Sequence, residues 1–131
     1  MRLFLSALLL FSAALPAARA QGSTVASLLT KDIPEFQGKE MTVITVTVPP
    51  GVASAAHRHH AHVFVYVLEG SLLMQVEGGE PKQLGPGDTF YEKPSDVHVT
   101  SKNMSDSKPA KMLVVMLKDK GTPVSEPVAG K

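Results

Sequence analysis

The chain has 131 residues, no cysteine, and a near-even balance of 13 Lys and Arg against 12 Asp and Glu. That length is one domain, and that balance lacks the basic clustering that nucleic acid or an anionic membrane surface requires. With no cysteine, a disulfide framework and a thiol nucleophile are both excluded.

In chain order, the first element is a secretory signal over residues 1–20. Arg2 gives a short basic start, Leu3 to Leu15 is almost wholly apolar, and Ala18-Arg19-Ala20 is a small-x-small cleavage sequence. The apolar stretch is shorter than the about 20 residues a membrane span needs. Cleavage before Gln21 is expected to release an exported protein, periplasmic or secreted, with no membrane attachment. Loss of Arg2 and Arg19 takes the basic count from 13 to 11 against 12 acidic residues, a formal charge of −1. A domain of this size without disulfides relies on its core, on oligomerisation or on a metal.

Residues 21–40 read as an N-terminal arm. Val25, Leu28 and Leu29 suit either one helical turn or part of a strand, and Pro34 interrupts anything longer. Residues 41–118 carry the clear strands. Met41 to Val48 is rich in β-branched residues and ends at Pro49-Pro50-Gly51. Strands follow over Val63 to Leu68, Ser71 to Glu77, Pro81 to Leu84, Thr89 to Glu92, Val97 to Ser101 and Lys111 to Lys118, with turns at Glu69-Gly70, Gly78-Gly79, Gly85 to Asp88 and Pro94 to Asp96. Residues 119–131, with two prolines and two glycines, read as a flexible tail, loose or draped over a neighbour. Seven or eight short strands without a helical pattern predict an all-β sandwich or barrel. Val63 to Leu68 is apolar on both faces, so one face is expected to line the interior and the other a subunit interface, which predicts a homodimer.

Four of the five histidines, His57, His59, His60 and His62, stand immediately before that strand, and His98 lies on a later one. Residues at i and i+2 of a strand share a face, so His57 and His59 project together with Arg58 opposite. Neutral imidazole is a common metal ligand, and a pair at this spacing with a third histidine on another strand supports a metal site, although ordinary surface or core histidines remain open on local chemistry alone. His60 breaks the alternation. His62 faces away by parity and becomes a fourth ligand only if a bulge reverses the strand. Glu69, Glu77 and Glu92 read as solvated turn residues. No serine stands in a nucleophile elbow, and no glycine-rich loop opens a helix. Val65, Met74, Val76, Phe90 and Met112 are the expected walls of a mostly apolar pocket.

With these residues laid out, the stretch Met41 to Leu117 resembles the small single-domain bacterial cupins. Gly51, His57, His59 and Gly70 fall on the first family motif, G-x5-H-x-H-x3,4-E-x6-G, followed by the similar Tyr66-Val67-Leu68-Glu69-Gly70. Gly87, Pro94, His98 and Asn103 resemble the second motif, G-x5-P-x-G-x2-H-x3-N, with one-residue departures in three spacings. The resemblance implies a jelly-roll-like β-barrel with one divalent transition metal (Fe, Mn, Zn, Ni or Cu) held by His57, His59 and His98.

The family glutamate does not carry over, because Val63 occupies its place. Three neutral imidazoles would leave the ion its full charge and favour an anionic, chelating substrate. That set is similar to the three-histidine cupins, which include thiol and diketone dioxygenases. The functional expectation is an exported metal-dependent, dioxygenase-like oxygenase or isomerase acting on a small anionic organic molecule. The alternatives are a non-catalytic small-ligand or metal-binding module, and a cupin barrel that has lost its metal.

Overall fold

The computed structural model describes residues 22–129. The expected signal segment and Gln21 lie outside them, as do the last two residues. The described chain forms β1 (Thr24–Asp32), β2 (Lys39–Val48), β3 (His57–Arg58), β4 (Ala61–Glu69), β5 (Leu72–Val76), β6 (Lys82–Leu84), β7 (Thr89–Glu92), β8 (His98–Asn103), β9 (Ala110–Asp119) and β10 (Glu126–Pro127). All pairings are antiparallel. They build two five-stranded sheets, ordered β1-β2-β9-β4-β7 and β10-β3-β8-β5-β6. This is the all-β, jelly-roll-like architecture the sequence implies, with ten strands rather than seven or eight.

The period-2 pattern of the long strands fixes which side faces in. On β4, Ala61, Val63, Val65 and Val67 are buried while the residues between them are exposed. On β9 the inward set is Ala110, Met112, Val114, Met116 and Lys118. All of these but Lys118 meet Leu72 and Met74 of the other sheet in a single core cluster. The β2–β9 ladder runs unbroken from Lys39↔Asp119 to Val48↔Ala110, because β-branched residues at alternate positions suit the pleat on both sides. The turn after β4 needs glycine: Gly70 has φ 82, and a Cβ there would sit 2.7 Å from the Ala110 Cα.

Three strands go beyond the sequence reading. β1 resolves the ambiguity of the arm in favour of strand, pairing with β2 along an edge where all nine residues are exposed. β3 and β10 are two-residue strands that pair with each other. Their pairing exists because the tail returns. Lys118, buried on β9, donates to the Glu40 carboxylate and to the Thr122 carbonyl at 2.5 Å. The chain then reverses through Gly121 (φ 78), and Val128 N–H donates to the Ala56 carbonyl at 3.1 Å. The segment read as a loose tail, or as cover for a neighbour, thus folds back on its own domain as far as it is described.

Asn103, fully buried, fastens the loop on the far side of β8. Its amide donates to the carbonyls of Val48, Pro49 and Lys108 at 3.0, 3.2 and 2.8 Å, and its Oδ1 accepts from Ser105 N–H at 2.9 Å. The second-motif asparagine is therefore a structural clamp that holds the end of β8 against the start of β9.

Candidate metal centre

β3 pairs with β8 so that His57 stands directly opposite His98. Cross-strand partners share a face, and the two rings lie 5.0 Å apart between centroids. His59 follows β3 on the same parity as His57, with its ring 4.8 Å from that of His57 and perpendicular to it. One nitrogen from each of His57, His59 and His98 lies within 4.8 Å of the other two.

Two of the three rings are oriented by the backbone. His57 Nδ1–H donates to the Ala55 carbonyl at 2.8 Å, and His59 Nδ1–H donates to the Val124 carbonyl at 2.5 Å. A carbonyl only accepts, so each Nδ1 carries a proton, and in the neutral ring each Nε2 is then the nitrogen with the lone pair that a metal ligand needs. Burial pushes the His57 pKa below its ordinary value, and the neighbouring His59 and His98 act in the same direction. His57 is thereby kept neutral near pH 7. The Val124 contact gives the returning tail a role in the site, because it orients His59.

His98 is 4 % exposed, and neither of its ring nitrogens has a hydrogen-bond partner. Phe90 backs it in a near-parallel stack at 5.8 Å. A buried imidazole with two unanswered nitrogens is costly unless something binds there. The orphaned ring and the convergence of one nitrogen from each of the three histidines together fit a divalent transition metal.

Glu92 was read as a solvated turn residue; it is 2 % exposed and points into this cluster. Its Oε1 lies 3.1 Å from His98 Nδ1 and its Oε2 lies 3.8 Å from His59 Nε2. The signal for it was present in the sequence. Phe90 was placed inward, and a residue two further along the same strand shares its face.

His60 and His62 are not in the cluster. His60 has a left-handed backbone (φ 49), where the chain passes from one sheet to the other, and its ring lies 3.2 Å from Glu126. No bulge reverses β4, so His62 stays on the outer face, where its Nδ1 lies 2.7 Å from the Tyr91 hydroxyl.

The three histidines and Glu92 open onto a cavity of about 340 Å³ inside the barrel. Val65, Met74 and Met112 line it as expected, and Ser54, Ser101 and Ser125 add hydroxyls. Val76 packs instead at the margin of the core, and Phe90 serves as the backing of His98.

Residues 44–116 match the cupin domain family. The dimethylsulfoniopropionate lyase DddQ of Ruegeria pomeroyi is 29% identical over 65 residues, half of this chain but only 32% of the lyase. The crystal structure of that lyase superposes with a TM-score of 0.70 at 22% identity, covering 92% of this chain and 59% of its own. The cupin domain of Schizosaccharomyces pombe Cnp3 gives 0.63 at 18% identity, over 81% of this chain and 68% of that one. A recombinant oxalate oxidase in complex with glycolate gives 0.63 at 22% identity, over 84% and 57%. The chain thus spans about a third of the relative matched by sequence, and the structural likenesses speak for the fold.

Proposed function

This chain belongs to the cupin domain family, and on that premise we propose that it is an exported, metal-dependent enzyme of small carboxylates. His57, His59 and His98 would hold one divalent transition metal. The observation that carries this reading is the convergence of three imidazoles within 4.8 Å, with two Nε2 lone pairs set by backbone carbonyls and the third ring buried without partners. When bound, the metal supplies Lewis acidity and a positive charge to which a carboxylate can attach.

The protein's own groups do the rest. The carbonyls of Ala55 and Val124 hold two ligand rings in one tautomer. Val65, Met74 and Met112 keep the cavity apolar, which strengthens electrostatic attraction inside it, and the three serine hydroxyls offer hydrogen bonds to the polar end of a ligand. The size of the cavity suits a molecule of a few heavy atoms. A dimethylsulfoniopropionate lyase and an oxalate oxidase with bound glycolate have small carboxylates in common, and this supports the substrate class. Oxygen uptake during turnover separates an oxygenase from a lyase or isomerase.

The test is metal content of untagged 21–131 protein beside His98→Ala, followed by thermal stability with glycolate and oxalate. About one metal per chain, lost in the variant, together with a carboxylate-induced rise in Tm that chelation abolishes, is the expected result. A rise that survives chelation would sink the metal-dependent reading, and stabilisation without turnover would favour the non-catalytic module. N-terminal sequencing of the exported protein should begin at Gln21.

We also propose a homodimer through the outer face of the β1-β2-β9-β4-β7 sheet. Phe64, Tyr66 and Tyr91 are 53 %, 46 % and 43 % exposed there, and Leu113 and Val115 flank Phe64 and Tyr66 on the side away from Tyr91. An apolar patch of this kind on a small domain favours a partner, and a face-to-face pairing of two copies is the closed, symmetric solution.

A further inference from the structure

We infer that Glu92 is the fourth protein ligand of the site, a carboxylate supplied from β7 in place of the one that Val63 lacks on β4. The inference rests on the metal-binding reading above and goes beyond it by assigning the donor set. Val63 and Glu92 are direct cross-strand partners in the β4–β7 ladder, and such partners present their side chains to the same patch of one face. Both point inward, at 1 % and 2 % exposure. A carboxylate thus stands one strand over from position 63, at the same level of the barrel.

The contacts of Glu92 are those of a co-ligand. Its two oxygens reach two different imidazoles, His98 Nδ1 at 3.1 Å and His59 Nε2 at 3.8 Å. The second of these is the ring nitrogen that does not face the Val124 carbonyl, and so the one free to meet a metal. The His98 contact is short, yet its alignment makes no hydrogen bond, and His98 Nδ1 stays without a partner. Buried polar atoms that lie close together without a hydrogen bond between them call for an explanation, and a shared ion supplies one. A carboxylate this deeply buried, with only imidazoles in ion-pair reach, is costly unless a cation compensates it. With Glu92 included, the donor set is three neutral nitrogens and one anion. A divalent ion would then keep one unit of positive charge, matched to a monocarboxylate.

The competing role is a positioning one, in which Glu92 only orients His98. The test measures Co²⁺ affinity by competition with a chelator, and the visible spectrum of the Co²⁺ protein, for the wild type, Glu92→Gln, and the double exchange Val63→Glu with Glu92→Val. A ligand role predicts an affinity loss in Glu92→Gln beyond the roughly 10–100-fold that an orienting partner brings. It also predicts a changed spectrum, and recovery of at least part of the affinity in the double exchange. An unchanged spectrum with a loss inside that range would overturn the inference and leave Glu92 as a positioning residue. Wild type that binds no Co²⁺ would overturn the metal reading itself, so the two failures are distinct. Circular dichroism on each variant checks the fold, and Glu92→Asp, which keeps the charge, should retain more affinity than Glu92→Gln.

Discussion

The two faces of β4 carry nearly equal apolarity and meet opposite fates. Ala61, Val63, Val65 and Val67 are buried in the core, whereas His62, Phe64, Tyr66 and Leu68 stand on the surface of the same strand. The inner face is small and β-branched and fits between two sheets. The outer face is aromatic and amphipathic, with His62 and Phe64 gathered around Tyr91. Histidines divide in the same way, His59 and His98 inside and His62 outside. Side-chain chemistry therefore does not decide which surface becomes the site. Strand parity does, and parity is preserved through the left-handed turn at His60.

The hardest test of that division is a charge placed on each face. Val67→Asp sets a carboxylate at a position with 0 % exposure, which should cost at least about 4 kcal/mol. Against a typical domain stability of about 5–15 kcal/mol, that removes most of the fold's margin. Tyr66→Asp, its neighbour on the outer face, should leave monomer stability within about 0.5 kcal/mol. Chemical denaturation of both reads the contrast, and equal losses would mean that the outer face is packed within the monomer.

Metal removal comes next in size. For protein holding its ion at a free concentration of 100 to 1,000 times Kd, chelation should lower stability by about 2.7–4.1 kcal/mol. His98→Ala should abolish that response because it removes a ligand, and His62→Ala should leave it intact. A stability loss on chelation that needs His62 would move the site to the wrong face. Phe64→Asp should convert the proposed dimer to monomer in sedimentation equilibrium while leaving metal content unchanged. A wild type that is monomeric throughout would remove the interface reading and leave the metal centre untouched.

Much of this division can be read in the sequence wherever alternation is dense. β2, β4 and β9 follow from their β-branched runs, and the pairing of His57 with His59 follows from i, i+2 spacing. The position of His98 opposite them came through the resemblance, since nothing local fixes which strand β8 joins. Glu92 was within reach by parity with Phe90 and was lost because a carboxylate near a Pro-Ser-Asp turn suggests solvent. That Glu92 faces Val63 was beyond reach, because cross-strand register depends on the whole sheet. β1 was ambiguous since Val25, Leu28 and Leu29 are spaced for a helix as well as for a strand. β10, and its pairing with β3, exist only through the return of the tail, a tertiary event fastened by Lys118, Glu40 and Thr122.

The smallest effect concerns protons. The His57 pKa is displaced downward, with desolvation the largest cause. In the unfolded chain its imidazole takes up a proton around its ordinary value of 6.5, and in the fold it resists until lower pH. Between those two points the unfolded state binds more protons, so acid favours unfolding and stability rises with pH. Metal-free protein should therefore lose stability as pH falls below about 6.5, with the slope vanishing once the folded-state value is passed. His57→Gln should flatten that segment of the profile and leave the outer-face variants unaffected. Denaturant midpoints from pH 8 to pH 5 on metal-free wild type and His57→Gln provide the measurement. An identical slope in both would mean that the inner site does not hold His57 neutral, and that its Nε2 must compete with protons for the metal at physiological pH.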